Sequence, residues 1–334
     1  MSFVVEHQIE LSATLIGAIL LSYQLGVPGA AKFVEVQGPL PPAPDFAEPM
    51  YRNSRDDACL VVFGVLLFTL VRAAIMKYLL GPLGRHLGVV DPHKMSRFCE
   101  QLWLVIYSVS SVTASLLIMS ELPHWFHTPG FWEEFPHIAM TRRFKLYYLM
   151  AISFWLQQFF VLQVEERRKD YWQMLCHHIV TCALLLASYA THYTRIGNAT
   201  LATMDFADIF LSGAKVLGYI GLQRLCDITF VIFVFVWIAT RHIIFGILIW
   251  STYFESPVVY DHPRYNDPAA EIHYSRGSQF FFLSCFAVLQ TIIIYWFVLI
   301  IKIVIRVLRG DVTADNRSSG ESDDEEPVKT KKVD

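Results

Sequence analysis

The sequence is poor in charged residues, which make up 17% of its 334 residues, against roughly 25% in soluble domains. Its formal net charge of -3 gives no indication of a nucleic-acid partner. Apolar residues make up 54% of the chain and occur in long blocks. Because about 20 consecutive apolar residues cross the roughly 30 Å of membrane hydrocarbon, the composition indicates an integral membrane protein.

The sequence also lacks two common signatures of secreted and redox-active proteins. None of its six cysteines forms a C-x-x-C pair, and most lie in or beside apolar blocks, so we expect buried free thiols. The first ten residues have no basic segment and include Glu6 and Glu10, so we expect no cleavable signal peptide.

The apolar blocks predict about eight transmembrane helices, the first of them short and interrupted by Gly17 and Gly26. Only helices or closed barrels satisfy the backbone hydrogen bonds in lipid, and the continuous blocks lack the alternating pattern of a barrel. The sequence therefore predicts an all-α integral membrane protein. The expected spans are about 11–27, 58–80, 99–119, 144–164, 171–191, 200–222, 228–253 and 280–308.

Three regions follow from this pattern. Residues 1–57 hold the first helix and a Pro-rich linker, and residues 58–309 hold the other helices as one bundle. Residues 310–334 are polar and acidic, and we predict a disordered tail.

Basic residues predict the orientation of the chain in the membrane. The loops after the second, fourth and eighth spans would share the cytosolic side by the positive-inside rule, which also places both termini in the cytosol. The loop after the third span carries basic residues as well, Arg142, Arg143 and Lys145, so the bias is moderate. The basic residues of the three cytosolic loops are Arg85, Lys94, Arg97, Arg167, Arg168, Lys169, Arg306 and Arg309.

The tail carries two further patterns. Lys331 and Lys332 form a K-K-x-x ending, which resembles the retrieval signal of endoplasmic-reticulum membrane proteins and is read in the cytosol; the alternative is a random basic tail. Ser318, Ser319 and Ser322 lie among acidic residues and resemble casein-kinase-II sites. The alternative is a plain solvated acidic stretch.

Four ionisable residues lie inside adjacent predicted spans: His177, His178, Asp205 and Asp208. Such residues are costly in lipid and usually functional. At about 1.5 Å of rise per residue, His177 and Asp208 come within about 6–8 Å of each other in depth. Two antiparallel neighbouring helices can therefore bring a histidine beside an aspartate.

This pairing suits general acid–base or nucleophilic catalysis, because a carboxylate orients an imidazole and raises its basicity. One alternative is a structural His–Asp contact between helices. A metal site is not expected, because the remaining histidines are scattered along the chain. A proton-coupled transporter is another alternative, but no inverted repeat is visible between the halves.

The residues around these four resemble the Lag motif of ceramide synthases, over about 167–220. The W-x-E-x-P-H at Trp132–His137 and the F-W-L-Q-Q at Phe154–Gln158 resemble the fungal branch of that family. The matching pieces of the motif are R-K-D at Arg168–Asp170, H-H-I-V-T at His177–Thr181, M-D-x-x-D at Met204–Asp208 and F-L-S-x-x-K at Phe210–Lys215.

The resemblance implies a fold and an activity. The fold would be a TLC-type helix bundle over about 58–309, enclosing an active site within the membrane. The activity would be transfer of a fatty-acyl group from acyl-CoA to the amine of a sphingoid base, giving ceramide or dihydroceramide and CoA. No cofactor is implied beyond acyl-CoA as substrate. A homodimer or a small accessory membrane subunit is a possible partner. The alternative is a non-enzymatic TLC-domain protein, translocon-associated or lipid-sensing.

The resemblance also implies roles for the polar residues. His177 or His178, oriented by Asp208 or Asp205, would take a proton from the sphingoid amine, or one histidine would accept the acyl group first. Both routes stay open.

Basic residues beside the motif have expected roles as well. The CoA phosphates would meet Arg167, Arg168, Lys169 and Arg224, although these also fit ordinary membrane anchors. Arg241 is expected to have a buried partner, either the aspartates or a substrate oxygen. Asn198 begins a glycosylation sequon against the membrane, and its use stays open.

Overall fold

The computed structural model describes residues 7–41, 48–164, 170–257 and 276–309. This part of the chain is mostly helical, with one short antiparallel pair of strands, β1 (Met50–Tyr51) and β2 (Met140–Thr141). The α-helices are α1 (Gln8–Gln24), α2 (Ala31–Val34), α3 (Asp57–Ile75), α4 (Gly81–His86), α5 (Pro92–Ser120), α6 (Arg142–Val164), α7 (Tyr171–Ala190), α8 (Thr194–Tyr219), α9 (Gln223–Trp237), α10 (Phe245–Phe254) and α11 (Arg276–Leu308).

The prediction of an all-α membrane protein is confirmed, and a helix lies at each of the eight predicted spans. Six are long and apolar enough to cross a membrane by length and composition. α1 has 17 residues, and α8 carries both aspartates in its middle. The count of eight is therefore approximate.

Two helical stretches run further than their apolar blocks. α3 continues through a π-helical turn, Met76–Leu80, into α4. α5 begins at Pro92 rather than near residue 99, because Asp91 caps it by accepting a hydrogen bond from the Lys94 backbone N–H at 2.9 Å. Its first two turns are polar, so hydropathy alone does not find them.

α8 lies at the centre of the bundle. It packs along α5 on one side and α9 on another, and it also contacts α7 and α10. α6 packs between α3 and α7, and α11 packs against α7 and α10. Because neighbours surround the middle of α8, polar residues such as Asn198 and Asp205 are buried in protein rather than facing lipid, as membrane helices require.

A buried ion pair holds the N-terminal linker against the bundle. Lys145 Nζ lies 2.8 Å from Asp57 Oδ1, and the two side chains are 0% and 3% exposed. The same ammonium donates hydrogen bonds to the carbonyl oxygens of Gln37 and Arg52, each at 2.7 Å. The sequence indicated Lys145 only as a loop cation beside the third span; the fold buries it completely.

Candidate active site

A cavity lies inside the bundle, between α6, α7, α8 and α11 and the segment that carries Arg241. His177, Asp208 and Arg241 line it together. Most of the other lining residues are apolar. Binding sites for lipid-like ligands have this composition, with a few polar groups that fix the orientation.

His177 is held by aromatic rings. Its ring centroid lies 5.6 Å from that of Trp155 and 5.4 Å from that of Trp296, both edge-to-face. Its Nδ1 is buried and has no hydrogen-bond partner in the described part of the chain. Packing rather than a carboxylate therefore sets the orientation of this imidazole.

Arg241 pairs with Asp208 across the cavity wall. Arg241 Nη2 lies 2.7 Å from Asp208 Oδ1 and 2.8 Å from the Met204 carbonyl oxygen. Arg241 is only 3% exposed, whereas 37% of the Asp208 side chain is accessible, and both residues line the cavity. The structure thus places Arg241 beside Asp208, one of the partners that the sequence left open.

A π-helical turn, Ile238–Ile244, presents Arg241 to α8. The wider turn changes the rotation of the residues that follow, and such turns occur often at functional sites. The Arg241 guanidinium also lies 4.8 Å from the ring centroid of Trp237, in the range of a cation–π contact. The amino-acid sequence of Ile238–Ile244 gave no indication of a π-helical turn.

His178 and Asp205 face away from the cavity. The Nδ1 of His178 donates to the Met174 carbonyl oxygen, one turn earlier, at 2.8 Å. Asp205 is 2% exposed and accepts a hydrogen bond at 2.7 Å from Ser111 Oγ of α5. The structure thus brings together His177 and Asp208 out of the four predicted residues, and the described hydrogen bonds of these four side chains include no direct His–Asp bond.

The other end of the cavity holds polar residues that the sequence analysis did not single out. The Tyr148 hydroxyl of α6 donates to Ser188 Oγ of α7, which itself donates to the Leu185 carbonyl oxygen at 3.0 Å. Thr181, four residues after His177, also lines the cavity, and its Oγ1 has no partner among the described residues. The helical spacing from His177 was the available signal for Thr181 and Ser188, at four and eleven residues.

The remaining predicted residues lie elsewhere. Arg224 is exposed at the start of α9. Asn198 is fully buried, and its Oδ1 accepts a hydrogen bond from Ser115 Oγ at 2.6 Å, so a glycan has no room on it in the folded protein. All six cysteines are free, as expected, but only Cys99 is buried; Cys176 is exposed and the other four are half-buried. Eight predicted residues lie outside the described part of the chain: Arg167, Arg168, Lys169, Ser318, Ser319, Ser322, Lys331 and Lys332.

Comparison with known proteins gives consistent matches. Residues 97–302 match the model of the TLC domain. The chain is 36% identical to the sphingosine N-acyltransferase lag1 of Schizosaccharomyces pombe over 280 residues, 84% of this chain and 72% of that protein. It is 32% identical to the ceramide synthase FUM18 of Gibberella moniliformis over 345 residues, 94% of this chain and 80% of that protein. The ceramide synthase LAG1 of Saccharomyces cerevisiae is 32% identical over 277 residues, 82% of this chain and 67% of that protein.

Proposed function

The chain belongs to the ceramide synthase family of TLC-domain membrane proteins, and we propose that its cavity is where a fatty-acyl group passes from acyl-CoA to the amine of a sphingoid base. The products are ceramide or dihydroceramide and free CoA. One observation carries the proposal: His177 and the Asp208–Arg241 pair line the same mostly apolar cavity inside the membrane bundle.

His177 is the group that reacts. A sphingoid amine is mostly protonated at neutral pH and must lose a proton before it attacks the thioester carbon. The imidazole of His177 lines the cavity and can take that proton as a general base. In a second route the imidazole attacks the thioester carbon and CoA leaves as thiolate. The deprotonated amine then attacks the acyl carbon of the acyl-imidazole, so that the amide forms and free imidazole leaves. CoA released before any sphingoid base is added would favour the second route.

Asp208 receives the sphingoid ammonium. It is the carboxylate that lines the cavity in the described part of the chain, and a partly accessible carboxylate attracts a cation strongly in low dielectric. Arg241 holds the carboxylate in place through the ion pair described above. It offsets part of the charge of Asp208, so that the free cavity does not bury an isolated anion.

The apolar part of the cavity holds the acyl chain, because the free energy falls when a lipid tail leaves water for an apolar environment. CoA is a polar anion and stays at the cytosolic face. Its phosphates are attracted there by Arg224 and by three residues outside the described part of the chain, Arg167, Arg168 and Lys169. The proposal includes residence in the endoplasmic reticulum, through Lys331 and Lys332, with both termini in the cytosol. It also allows a homodimer or a small accessory subunit.

The test uses the purified, detergent-solubilised protein with an acyl-CoA mixture and sphinganine. Wild type should form N-acyl product. His177→Ala should lower its rate by about 10²–10⁴-fold. His178→Ala is the matched control, because it removes the neighbouring imidazole, which faces away from the cavity, and should keep most of the activity. If wild type forms no product even when membranes are added back, the chain acts as a non-enzymatic TLC-domain protein instead.

A further inference from the structure

The cavity ends in a wall built from three helices. Tyr148 of α6 is hydrogen-bonded to Ser188 of α7, and both are buried, at 0% and 4% exposure. Gly197 of α8 lies directly against this pair: a Cβ there would lie 2.0 Å from the Tyr148 hydroxyl oxygen and 3.2 Å from Ser188 Oγ. Since all three residues line the cavity, we call them the end wall.

The end wall lies well away from the reacting groups. Ser188 follows His177 by eleven residues on α7, and Gly197 precedes Asp208 by eleven residues on α8. At 1.5 Å of rise per residue, each helix places the end wall about 16 Å from the polar end. The membrane hydrocarbon is about 30 Å thick and two lipid tails deep. A cavity of this length therefore matches one common fatty-acyl chain.

The end wall is backed by a rigid polar network. The Tyr148 ring stacks on the Tyr189 ring, with centroids 6.0 Å apart. Tyr189 donates a hydrogen bond to Asp57 Oδ2 at 2.6 Å, and Asp57 is the partner of buried Lys145. To move Tyr148 outward, a ligand would have to disturb a buried ion pair, which is costly.

We propose that the Tyr148–Ser188 pair, packed against Gly197, sets the longest acyl chain that this enzyme transfers efficiently. The proposal rests on the proposed acyl transfer at His177. With the thioester carbon at His177, the chain extends along Leu201 and Leu185 and its terminal methyl group meets the Tyr148 ring. Each further methylene must fold back or displace the end wall, and therefore loses the burial that the shorter chain gains.

Variants of the end wall should change the preferred chain length in both directions. Tyr148→Ala and the milder Tyr148→Leu remove the wall and should favour longer acyl-CoAs. Leu201→Phe adds bulk one helical turn closer to Asp208 than Gly197 is, and should favour shorter ones. Since a buried methylene contributes enough to change a rate ratio about fourfold, a two-carbon difference should change product ratios by roughly 16-fold.

The measurement is a competition among acyl-CoAs of different lengths in one tube, with sphinganine as acceptor and products resolved by mass spectrometry. Product ratios are independent of how much of each variant is folded, so partial instability does not obscure the result. Phe154→Ala is the matched control: it deletes a buried aromatic residue of the same helix, 2% exposed, that does not line the cavity, and its profile should equal that of wild type.

The outcomes separate this proposal from the one on which it rests. A shift in opposite directions for Tyr148→Ala and Leu201→Phe supports the end wall. If the variants form ceramide with the wild-type profile, the end wall does not limit chain length, although acyl transfer stands. If wild type forms no N-acyl product, the proposed function fails and the end-wall proposal fails with it. Should Tyr148→Ala not fold, Tyr148→Leu and Leu201→Phe each decide the question alone.

Discussion

At the residue scale, the four ionisable side chains of α7 and α8 form two pairs with different functions. His177 and Asp208 face the cavity, while His178 and Asp205 bond to the Met174 carbonyl oxygen and Ser111. Consecutive helical residues point about 100° apart, so a pair of adjacent histidines cannot share one partner. The two that face away contribute to helix geometry and helix–helix contact.

The two aspartates should therefore respond differently to the same substitution. Asp208→Asn removes the charge that attracts the sphingoid ammonium, so the KM for sphinganine should rise by at least tenfold and kcat should fall as well. Asp205→Asn keeps an oxygen that accepts from Ser111, and its KM should stay near the wild-type value. Steady-state kinetics on both purified variants checks this. Equal losses for the two would contradict the assignment of Asp208 to the substrate.

At the element scale, the linker between α1 and α3 depends on one buried ion pair. Lys145→Met leaves Asp57 charged, buried and without its cation, and such a change costs about 3–5 kcal/mol. The double variant Lys145→Met, Asp57→Leu removes both charges and should recover most of this loss. Thermal unfolding in detergent measures both. A double variant that is less stable than the single one would show that the hydrogen bonds of the pair, rather than its charges, dominate.

The loop between α5 and α6, residues 121–139, should make stability depend on pH. Burial and the nearby Arg195 lower the pKa of His124 to about 4 and that of His137 to about 3. In the unfolded chain each has a pKa near 6.5. The unfolded state therefore takes up protons first as the pH falls. The stabilisation is complete above about pH 6.5 and is lost between 6.5 and these folded values.

We expect the melting temperature to fall between pH 7.5 and 5.5, by an amount equivalent to about 1 kcal/mol for each histidine. The variants His124→Gln and His137→Gln should each reduce this pH dependence, whatever they do to stability at pH 7.5. His86→Gln, at an exposed position, is the control and should keep the wild-type slope. An unchanged slope in both loop variants would contradict neutral burial of these histidines.

The helices themselves were predictable from the sequence, and several features of their packing were not. Long apolar blocks give the position of a span, because the membrane demands them. They do not report rotation about the helix axis, so they could not say that His177 rather than His178 faces the cavity. The π-helical turn at Ile238–Ile244 changes the direction in which Arg241 leaves the helix axis, and the amino-acid composition does not indicate such a turn. Lys145 reads as a loop cation because its partner, Asp57, is 88 positions away in sequence.

At the scale of the whole molecule, the bundle combines two opposing requirements. It must keep charged groups in the membrane, and it does so by surrounding α8 with other helices. It must also admit a lipid, and the apolar cavity between α6, α7, α8 and α11 provides the space. The polar end and the end wall lie at opposite ends of the same helices. α7 and α8 therefore set the distance between the reacting groups and the end wall, and with it the length of acyl chain that fits between them.

The most direct test of this arrangement is photocrosslinking with an acyl-CoA that carries a diazirine near the end of its acyl chain. The thioester at His177 places that group at the end wall, so the labelled peptides should contain Tyr148, Leu185 or Leu201, and excess unlabelled acyl-CoA should abolish the label. Labelling confined to exposed side chains outside the cavity, such as Phe160 and Trp172, at 59% and 70% exposure, would contradict entry of the acyl chain into the cavity.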